Sequence, residues 1–207
     1  MIDPGLMDMI MRLRSRGISD NHVLRAIETV PRKYFVSDNL WDKAYEDQAL
    51  PIACGQTLSP TMSIAMMTQA LNIHEGHKLL EIGTGSGYHA SILSKMVTRV
   101  YSIERYHKLL AKAEDRFAKL DIVNIVTRHG DGRYGWKGQA PFDRIILTCG
   151  VKSVPKKLKD QLTPGGVMVA IVGGMLVRMT KAKTKISEET ILPLSIPMIE
   201  TGKSKIL

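Results

Sequence analysis

The sequence predicts an α/β fold: a doubly wound parallel sheet with a helical cap before it and an antiparallel hairpin after it. Three observations carry the prediction. The apolar run Leu79-Leu80-Glu81-Ile82 stops at the turn Gly83-Thr84-Gly85-Ser86-Gly87 and gives way at Tyr88 to a helix-like pattern, which reads as strand, tight loop, helix. A second apolar run ends in an acid at Ile103-Glu104. From Lys78 onward, short apolar runs and helical periods alternate regularly, as in a sheet with crossover helices.

Taken in order, Leu6, Met9, Ile10 and Leu13 recur at helical spacing and stop at Gly17, which predicts a short amphipathic helix with Met7, Met9 and Met11 as gap-filling core. Asp20 or Asn21 can cap a second helix with Val23, Leu24 and Ile27 on its inner face, ending before Pro31. From Pro31 to Pro60 no period is sustained, yet the segment is apolar and aromatic. That combination marks a functional loop rather than a disordered one. Ile64, Met67, Thr68 and Leu71 then read as a helix with Ser59 or Thr61 near its N-cap, whose free backbone donors would suit a carboxylate.

The core follows as strand 78–82, helix 88–96, strand 99–104, helix 107–120, strands 122–127 and 143–148, helix 155–161 and strand 166–172. Right-handed crossovers put the loops after Ile82, Ile103, Val126 and Thr148 on the carboxyl edge, together with Asp131-Gly132. Met175–Met179, a turn bearing Lys181, Lys183 and Lys185, and the run from Ile191 to Ile196 read as a closing hairpin. One domain is expected, with 1–77 as cap and substrate loop, 78–173 as ligand-binding core and 174–207 as hairpin and tail.

Spacing decides what the glycine loop binds. A dinucleotide fingerprint starting at Gly83 needs a third glycine where Tyr88 stands, so the pattern is Glu81-x-Gly-x-Gly-x-Gly and the fit to NAD is poor. Glu104 lies 17 residues beyond Gly87, near the distance at which an acid on the second strand grips ribose hydroxyls. Acids on the first two strands, facing one crevice, suit a ligand with a ribose and a cationic sulfonium amino acid but no pyrophosphate. A glycine-rich turn alone would leave an ordinary crossover equally open; the paired acids favour a ligand site.

Composition narrows the classes further. The 207 residues are 44% hydrophobic, enough for one packed domain, and no run of about 18 apolar residues occurs. The start, Met1-Ile2-Asp3-Pro4-Gly5, has no basic or apolar leader region, so a soluble cytoplasmic protein without a membrane partner is expected. Cys54 and Cys149 have no ligand-spaced neighbours, which predicts reduced, buried thiols and no metal site. Net charge is +9, and residues 151–207 hold 10 basic against 4 acidic residues. The excess is not interleaved with aromatics, which are only 5% of the chain, so a specific nucleic-acid partner is not expected.

The cofactor half resembles the S-adenosylmethionine (AdoMet) site of class I methyltransferases with their Rossmann-like sheet, and the whole pattern is closer to one family. Val30-Pro31-Arg32-Lys33-Tyr34-Phe35-Val36, Ala44-Tyr45-Glu46-Asp47, Gly55-Gln56-Thr57-Leu58-Ser59, the glycine loop, His129-Gly130-Asp131-Gly132 and Pro141-Phe142-Asp143-Arg144-Ile145-Ile146 follow one another as in protein-L-isoaspartate O-methyltransferases. The resemblance runs from about residue 6 to about residue 173, and the Gly55–Ser59 segment is its specific part. It implies methyl transfer from AdoMet, with S-adenosylhomocysteine as product, to the α-carboxylate of L-isoaspartyl residues in damaged proteins. The ester then closes to a succinimide.

By that resemblance Ser59 is the active-site hydroxyl, and Gln56, Thr57 and Leu58 form the substrate and cofactor loop. Gly83, Gly85 and Gly87 hold the amino-acid end of AdoMet, with Glu81, Thr84 and Ser86 also among the cofactor-binding residues; Glu104 takes the ribose; Asp131 and Gly132 meet the adenine. A carboxylate acceptor is already ionised and needs no general base, so Ser59 positions it and His89 and His129 are surface or loop-packing residues. A monomer acting on isoaspartyl-bearing proteins is expected. The chain departs from the family pattern at Pro60-Thr61-Met62, at Ala53-Cys54, at Thr148-Cys149-Gly150 and beyond residue 173, where the match is confined to Leu192-Pro193-Leu194. Two other readings share the cofactor half: an AdoMet-dependent methyltransferase of RNA or another target, and an AdoMet-binding module that has lost catalysis. Against the first, no Asn-Pro-Pro-Tyr type segment follows the fourth strand.

Overall fold

The computed structural model describes residues 3–183 and 185–204; Met1, Ile2, Thr184 of the Lys-rich turn and residues 205–207 of the expected tail lie outside the described residues. Two helices open it. α1 (Pro4–Ser15) starts where the Asp3 side chain accepts from the Gly5 amide, and α2 (Asn21–Thr29) where Asp20 accepts from the His22 and Val23 amides. Their inner faces, Met9 and Leu13, then Val23, Leu24 and Ile27, enter one cluster with Phe35, Ile64 and Tyr88. Of the three methionines read as core, only Met9 is buried; Met7 and Met11 are 54% and 68% exposed because they fall on the outer face of α1.

The aperiodic segment is folded as 3-10 turns at Arg32–Phe35, Asp38–Lys43 and Ala53–Gly55 around a two-strand ribbon, β1 (Leu50–Pro51) and β2 (Thr57–Leu58). α3 (Thr61–Ala70) follows. The core consists of β3 (Lys78–Ile82), α4 (Tyr88–Ser94), β4 (Arg99–Glu104), α5 (His107–Lys119), β5 (Ile125–His129), β6 (Phe142–Val151), α6 (Lys156–Asp160) and β7 (Leu162–Val172); β8 (Met175–Ala182) and β9 (Lys185–Pro193) close it.

Among the described residues one seven-stranded sheet runs in the order β5-β4-β3-β6-β7-β8-β9. β5, β4, β3, β6 and β7 are parallel, and β8 and β9 antiparallel. The winding reverses at β3, between β4 and β6, so a crevice opens outside the carboxyl ends of these strands. Leu79 and Leu80 of β3 are wholly buried on opposite faces, and burial of such side chains stabilises by about 1.5–3 kcal/mol each. No helix among the described residues is long and apolar enough to cross a membrane.

Several boundaries differ from the sequence reading, each for a local reason. The strand expected at 122–127 is β5 at Ile125–His129. Asp121 takes a left-handed conformation (φ 51°) and the Ile122 amide bonds back to the Phe117 carbonyl, so Ile122 plugs the end of α5 while Val123 is 93% exposed. The residue preceding α3 is Pro60, and neither Ser59 nor Thr61 caps it. Instead Asp47 Oδ1 accepts from the Met62 amide (3.0 Å), occupying one of the donors expected to be free. The closing hairpin is longer than expected on both sides of its turn, because Lys181 and Ala182 pair with Ile186 and Lys185; its second strand stops at Pro193, which cannot donate to the ladder. The chain then turns back: the Gly150 amide bonds to the Pro197 carbonyl and the Ile199 amide to the Gly150 carbonyl, carrying the tail across the carboxyl ends of the strands.

Candidate functional site

The crevice holds a cleft lined by the glycine loop, by the end of β4 and by the ribbon leading to Ser59. Its floor is the glycine loop. Gly83, Gly85 and Gly87 all have positive φ (98°, 56° and 90°), but for different purposes. A Cβ on Gly83 would lie 2.4 Å from Thr148 Oγ1, which itself donates to the Gly83 carbonyl at 2.7 Å, so Gly83 is packed against β6. A Cβ on Gly85 would meet only Ile52 Cδ1, at 3.8 Å; its backbone faces the cleft and lets a ligand approach.

Glu104 closes the loop from the second strand. It is buried to 4% exposure, and its two carboxylate oxygens accept from the Gly85 amide (2.8 Å) and the Tyr106 amide (2.9 Å). A carboxylate has about four lone-pair sites, so acceptor capacity is left over for hydroxyl donors in the cleft. Gly132 forms part of the far wall, and a Cβ there would lie 2.2 Å from Ile82 Cγ2, so only glycine brings that backbone against the end of β3.

The expected residues divide into two sets. Gln56, Thr57, Ser59, Gly83, Gly85, Glu104 and Gly132 line the cleft together. Leu58, Glu81, Thr84, Ser86, Gly87 and Asp131 do not. Leu58 is buried opposite Leu50 in the ribbon. Glu81, expected to face the crevice beside Glu104, lies beneath the loop, fully buried: Ser102 Oγ donates to it and accepts in turn from Thr84 Oγ1. Burial pushes its carboxyl up to about 8, with the Glu104 charge adding to the rise and the Ser102 hydrogen bond opposing it. Ser86 accepts from the Tyr88 amide, and Gly87 turns the chain into α4 against Phe117.

Asp131 sits behind Gly132, where its carboxylate accepts from the Arg133 amide and guanidinium and from the Gly202 amide. Burial alone would raise its carboxyl; those donors together hold it below the ordinary carboxylate range.

Ser59 lies across the cleft from the glycine loop. Its carbonyl accepts from Arg32 Nη2 at 2.8 Å, and no described residue occupies its hydroxyl. His89 is not a surface residue: it is buried on α4 with Nε2 2.9 Å from Thr68 Oγ1. The Thr68 hydroxyl donates to the Ile64 carbonyl, so His89 is the donor, and burial drives its basicity down to about 3. His129 packs under the Arg105 carbonyl. Cys54 and Cys149 are both free; each keeps part of its surface exposed, and Cys149 lines the cleft. No cluster of metal-ligating side chains occurs among the described residues.

Sequence reasoning missed the roof. Pro197, Met198, Ile199 and Glu200 cover the cleft. Glu200 pairs with Arg105 and accepts from the Tyr106 hydroxyl (2.7 Å), while the Arg105 guanidinium reaches the Thr201 and Gly202 carbonyls. Arg105 and Tyr106 adjoin Glu104 and could have been inferred from that adjacency. The tail carries no local pattern that announces where it lands.

Known proteins resemble this chain along nearly its whole length. The family described as protein-L-isoaspartate(D-aspartate) O-methyltransferase matches residues 6–196. The protein-L-isoaspartate O-methyltransferase of Paramagnetospirillum magneticum is 46% identical over 205 residues, covering 96% of each chain, and that of Maricaulis maris is 44% identical over 209 residues, covering 99% of this chain and 98% of its own. A solved protein-L-isoaspartate O-methyltransferase superposes with a TM-score of 0.87 at 24% identity, over 95% of this chain and 66% of that one. A Plasmodium falciparum β-aspartate methyltransferase, solved in complex with S-adenosyl-L-homocysteine, superposes with a TM-score of 0.82 at 21% identity, over 93% of this chain and 97% of its own. At those identities the two structures establish the fold.

Proposed function

Because this chain belongs to the protein-L-isoaspartate(D-aspartate) O-methyltransferase family, we propose that its cleft transfers a methyl group from AdoMet to the free α-carboxylate of L-isoaspartyl residues in damaged proteins, releasing S-adenosylhomocysteine. The observation that carries the reading is that one cleft is lined both by the Gly85–Glu104 pair and by the loop ending at Ser59. The residues fit the cofactor. Gly85 leaves open the space a side chain would fill, and Glu104 has acceptor capacity for ribose hydroxyls. Gln56 and Thr57 adjoin the acceptor side.

When bound, AdoMet supplies an electrophilic sulfonium methyl group. The chain's own contribution is placement. The acceptor carboxylate is ionised at neutral pH, so the cleft needs no general base; His89, buried on α4 and held neutral, does not line it. Ser59 orients the acceptor oxygen through its hydroxyl, and the tail from Pro197 to Glu200 excludes water from the donor side. Leu58 and Asp131 support this arrangement from behind, the first by fixing the ribbon and the second by anchoring the tail at Gly202. Glu81 and Thr84 brace the glycine loop from below through Ser102.

An isoaspartyl residue presents its α-carboxylate on a short arm, while an aspartyl residue offers a carboxylate one methylene farther from the backbone. A loop that fixes the peptide between Ala53 and Ser59 distinguishes them by reach, since a displacement of about 1 Å in the reacting oxygen can cost on the order of 100-fold. The test is methylation of paired isoaspartyl and aspartyl peptides of one sequence. Base-labile ester on the first and little on the second is the expected result; equal methylation overturns the assignment. The proposal includes a cytoplasmic monomer, its compartment consistent with two unpaired thiols, and is checked by sedimentation and cell fractionation.

A further inference from the structure

Arg32 carries a charge that none of the steps above uses. It lies in the segment Val30-Pro31-Arg32-Lys33-Tyr34-Phe35-Val36, and although arginine is among the residues least often buried, it is 0% exposed. No carboxylate pairs with it among the described residues. The nearby acid, Asp47, is engaged by the Met62 amide and by Arg16. Taking a guanidinium out of water without a counter-charge is costly, and an unbranched apolar side chain would fill the space without that cost. What the charge contributes must therefore lie in what it holds.

It holds three elements at one point. Nε donates to the Ala44 carbonyl (2.7 Å), which closes the turn at Asp38–Lys43; Nη2 donates to the Ser59 carbonyl (2.8 Å); and the guanidinium carbon lies 4.9 Å from the centre of the Tyr88 ring. Tyr88 is the first residue of α4, directly after the glycine loop. Its hydroxyl is buried beside Arg32 and beside Thr61, the residue that opens α3 two positions after Ser59, and it makes no hydrogen bond to either. The acceptor loop and the donor loop thus share one planar, multidentate clamp.

We propose that Arg32 is a positioning residue for methyl transfer: by holding the Ser59 carbonyl it sets the peptide plane from which the Ser59 hydroxyl meets the acceptor carboxylate, and by lying on Tyr88 it registers that plane against the glycine loop. The proposal rests on the reading of Ser59 given above. In-line transfer depends on the distance between the two loops, and the guanidinium is the group that spans them.

The experiment is a double-mutant cycle in the full chain with Arg32→Lys and Ser59→Ala, read by methylation kinetics on an isoaspartyl peptide, S-adenosylhomocysteine affinity and thermal unfolding. Lysine keeps the charge but cannot bridge two carbonyls from a flat fork while stacking on a phenol ring. Arg32→Lys is expected to lower kcat on the order of 10- to 100-fold. It should change cofactor affinity by less than about threefold. In the Arg32→Lys background, Ser59→Ala should cost less than about twofold more, because a serine already out of place has little left to lose. A purely structural arginine would lower the Tm and leave the Ser59→Ala penalty undiminished. That additive result, or unchanged kcat in Arg32→Lys, overturns the proposal and leaves the role of Ser59 standing. Full activity in Ser59→Ala alone removes the role of Ser59 and this proposal with it. Should Arg32→Lys not fold at the assay temperature, Arg32→Gln runs the same cycle; failure of both to fold assigns Arg32 to stability and overturns the proposal.

Discussion

Glu104→Gln separates the two tasks that converge on one carboxylate. In the native chain one oxygen accepts from the Gly85 amide at 2.8 Å and the other from the Tyr106 amide at 2.9 Å, in a site 4% exposed. A carboxamide has the same shape but only one acceptor oxygen, so its NH2 group must face one of the two backbone N–H donors. Leaving a buried donor unpaired costs about 1–3 kcal/mol, which is the expected loss of ligand-free stability. The ribose contact weakens as well: hydrogen bonds to a charged acceptor contribute about 1.5–3 kcal/mol and neutral ones about 0.5–1.5. The difference, about 1–2 kcal/mol, raises the Kd for S-adenosylhomocysteine roughly 5- to 30-fold. Glu104→Ala removes the acceptor altogether and should raise it roughly 10- to 150-fold. Calorimetric titration gives the affinities and urea unfolding the stabilities. Binding within twofold of the native chain in both variants would refute the ribose role. So would an equal loss for an analogue lacking both ribose hydroxyls, since a disordered loop and not a ribose contact would then account for it.

Gly83→Ala and Gly85→Ala should part company. The first puts a Cβ 2.4 Å from Thr148 Oγ1 at φ 98° and should cost roughly 2 kcal/mol or more of stability; the second, at φ 56° with its nearest neighbour 3.8 Å away, should cost about 1 kcal/mol and chiefly abolish cofactor binding, as thermal unfolding and calorimetry would show. His89 and Glu81 should pull acid stability in opposite directions. The folded-state basicity of His89 is lowered to about 3, so its stabilisation is complete above the unfolded value of about 6.5 and is lost as pH falls; Glu81, raised to about 8, stabilises fully below about 4.5 and loses that contribution as pH rises toward 8. Between pH 7 and pH 5 each amounts to roughly 2–3 kcal/mol, so on acidification His89→Gln should gain stability relative to the native chain and Glu81→Gln should lose it; matching urea curves for all three chains at both pH values would contradict the assignment. Cys149, pushed up to about 12 by burial with the Glu104 charge adding to it, should be alkylated in a Cys54→Ser background at a rate rising about tenfold per pH unit from 7 to 10, whereas levelling off between pH 9 and pH 10 would show an ordinary thiol.

The sequence by itself determined the periodic elements and the chemistry attached to them. Strands β3 and β4 begin and end where their apolar runs do, and Glu104 reaches the glycine loop because both stand at the carboxyl ends of adjacent parallel strands, a consequence of winding that short-range pattern already implies. Where the local signal was ambiguous, tertiary packing decided. Ile122 could have started a strand, but its burial against Ala113 and Phe117 made it the plug of a helix end. Glu81 and Glu104 are both acids near the ends of neighbouring strands in the linear pattern, yet Glu81 pairs with Ser102, two residues short of Glu104, and Ser102 and Thr84 hold it beneath the loop; the strand register distinguishes a carboxylate in the cleft from one below it. The roof depended on tertiary structure entirely. Glu200 meets Arg105 and Tyr106 across more than ninety residues, and Arg32 meets Ser59 across 27, through contacts between side chain and backbone or between distant side chains that leave no periodicity behind. Hydrophobic period records which face of an element is buried; it does not record which distant segment will cover a cleft or which carbonyl a buried guanidinium will hold.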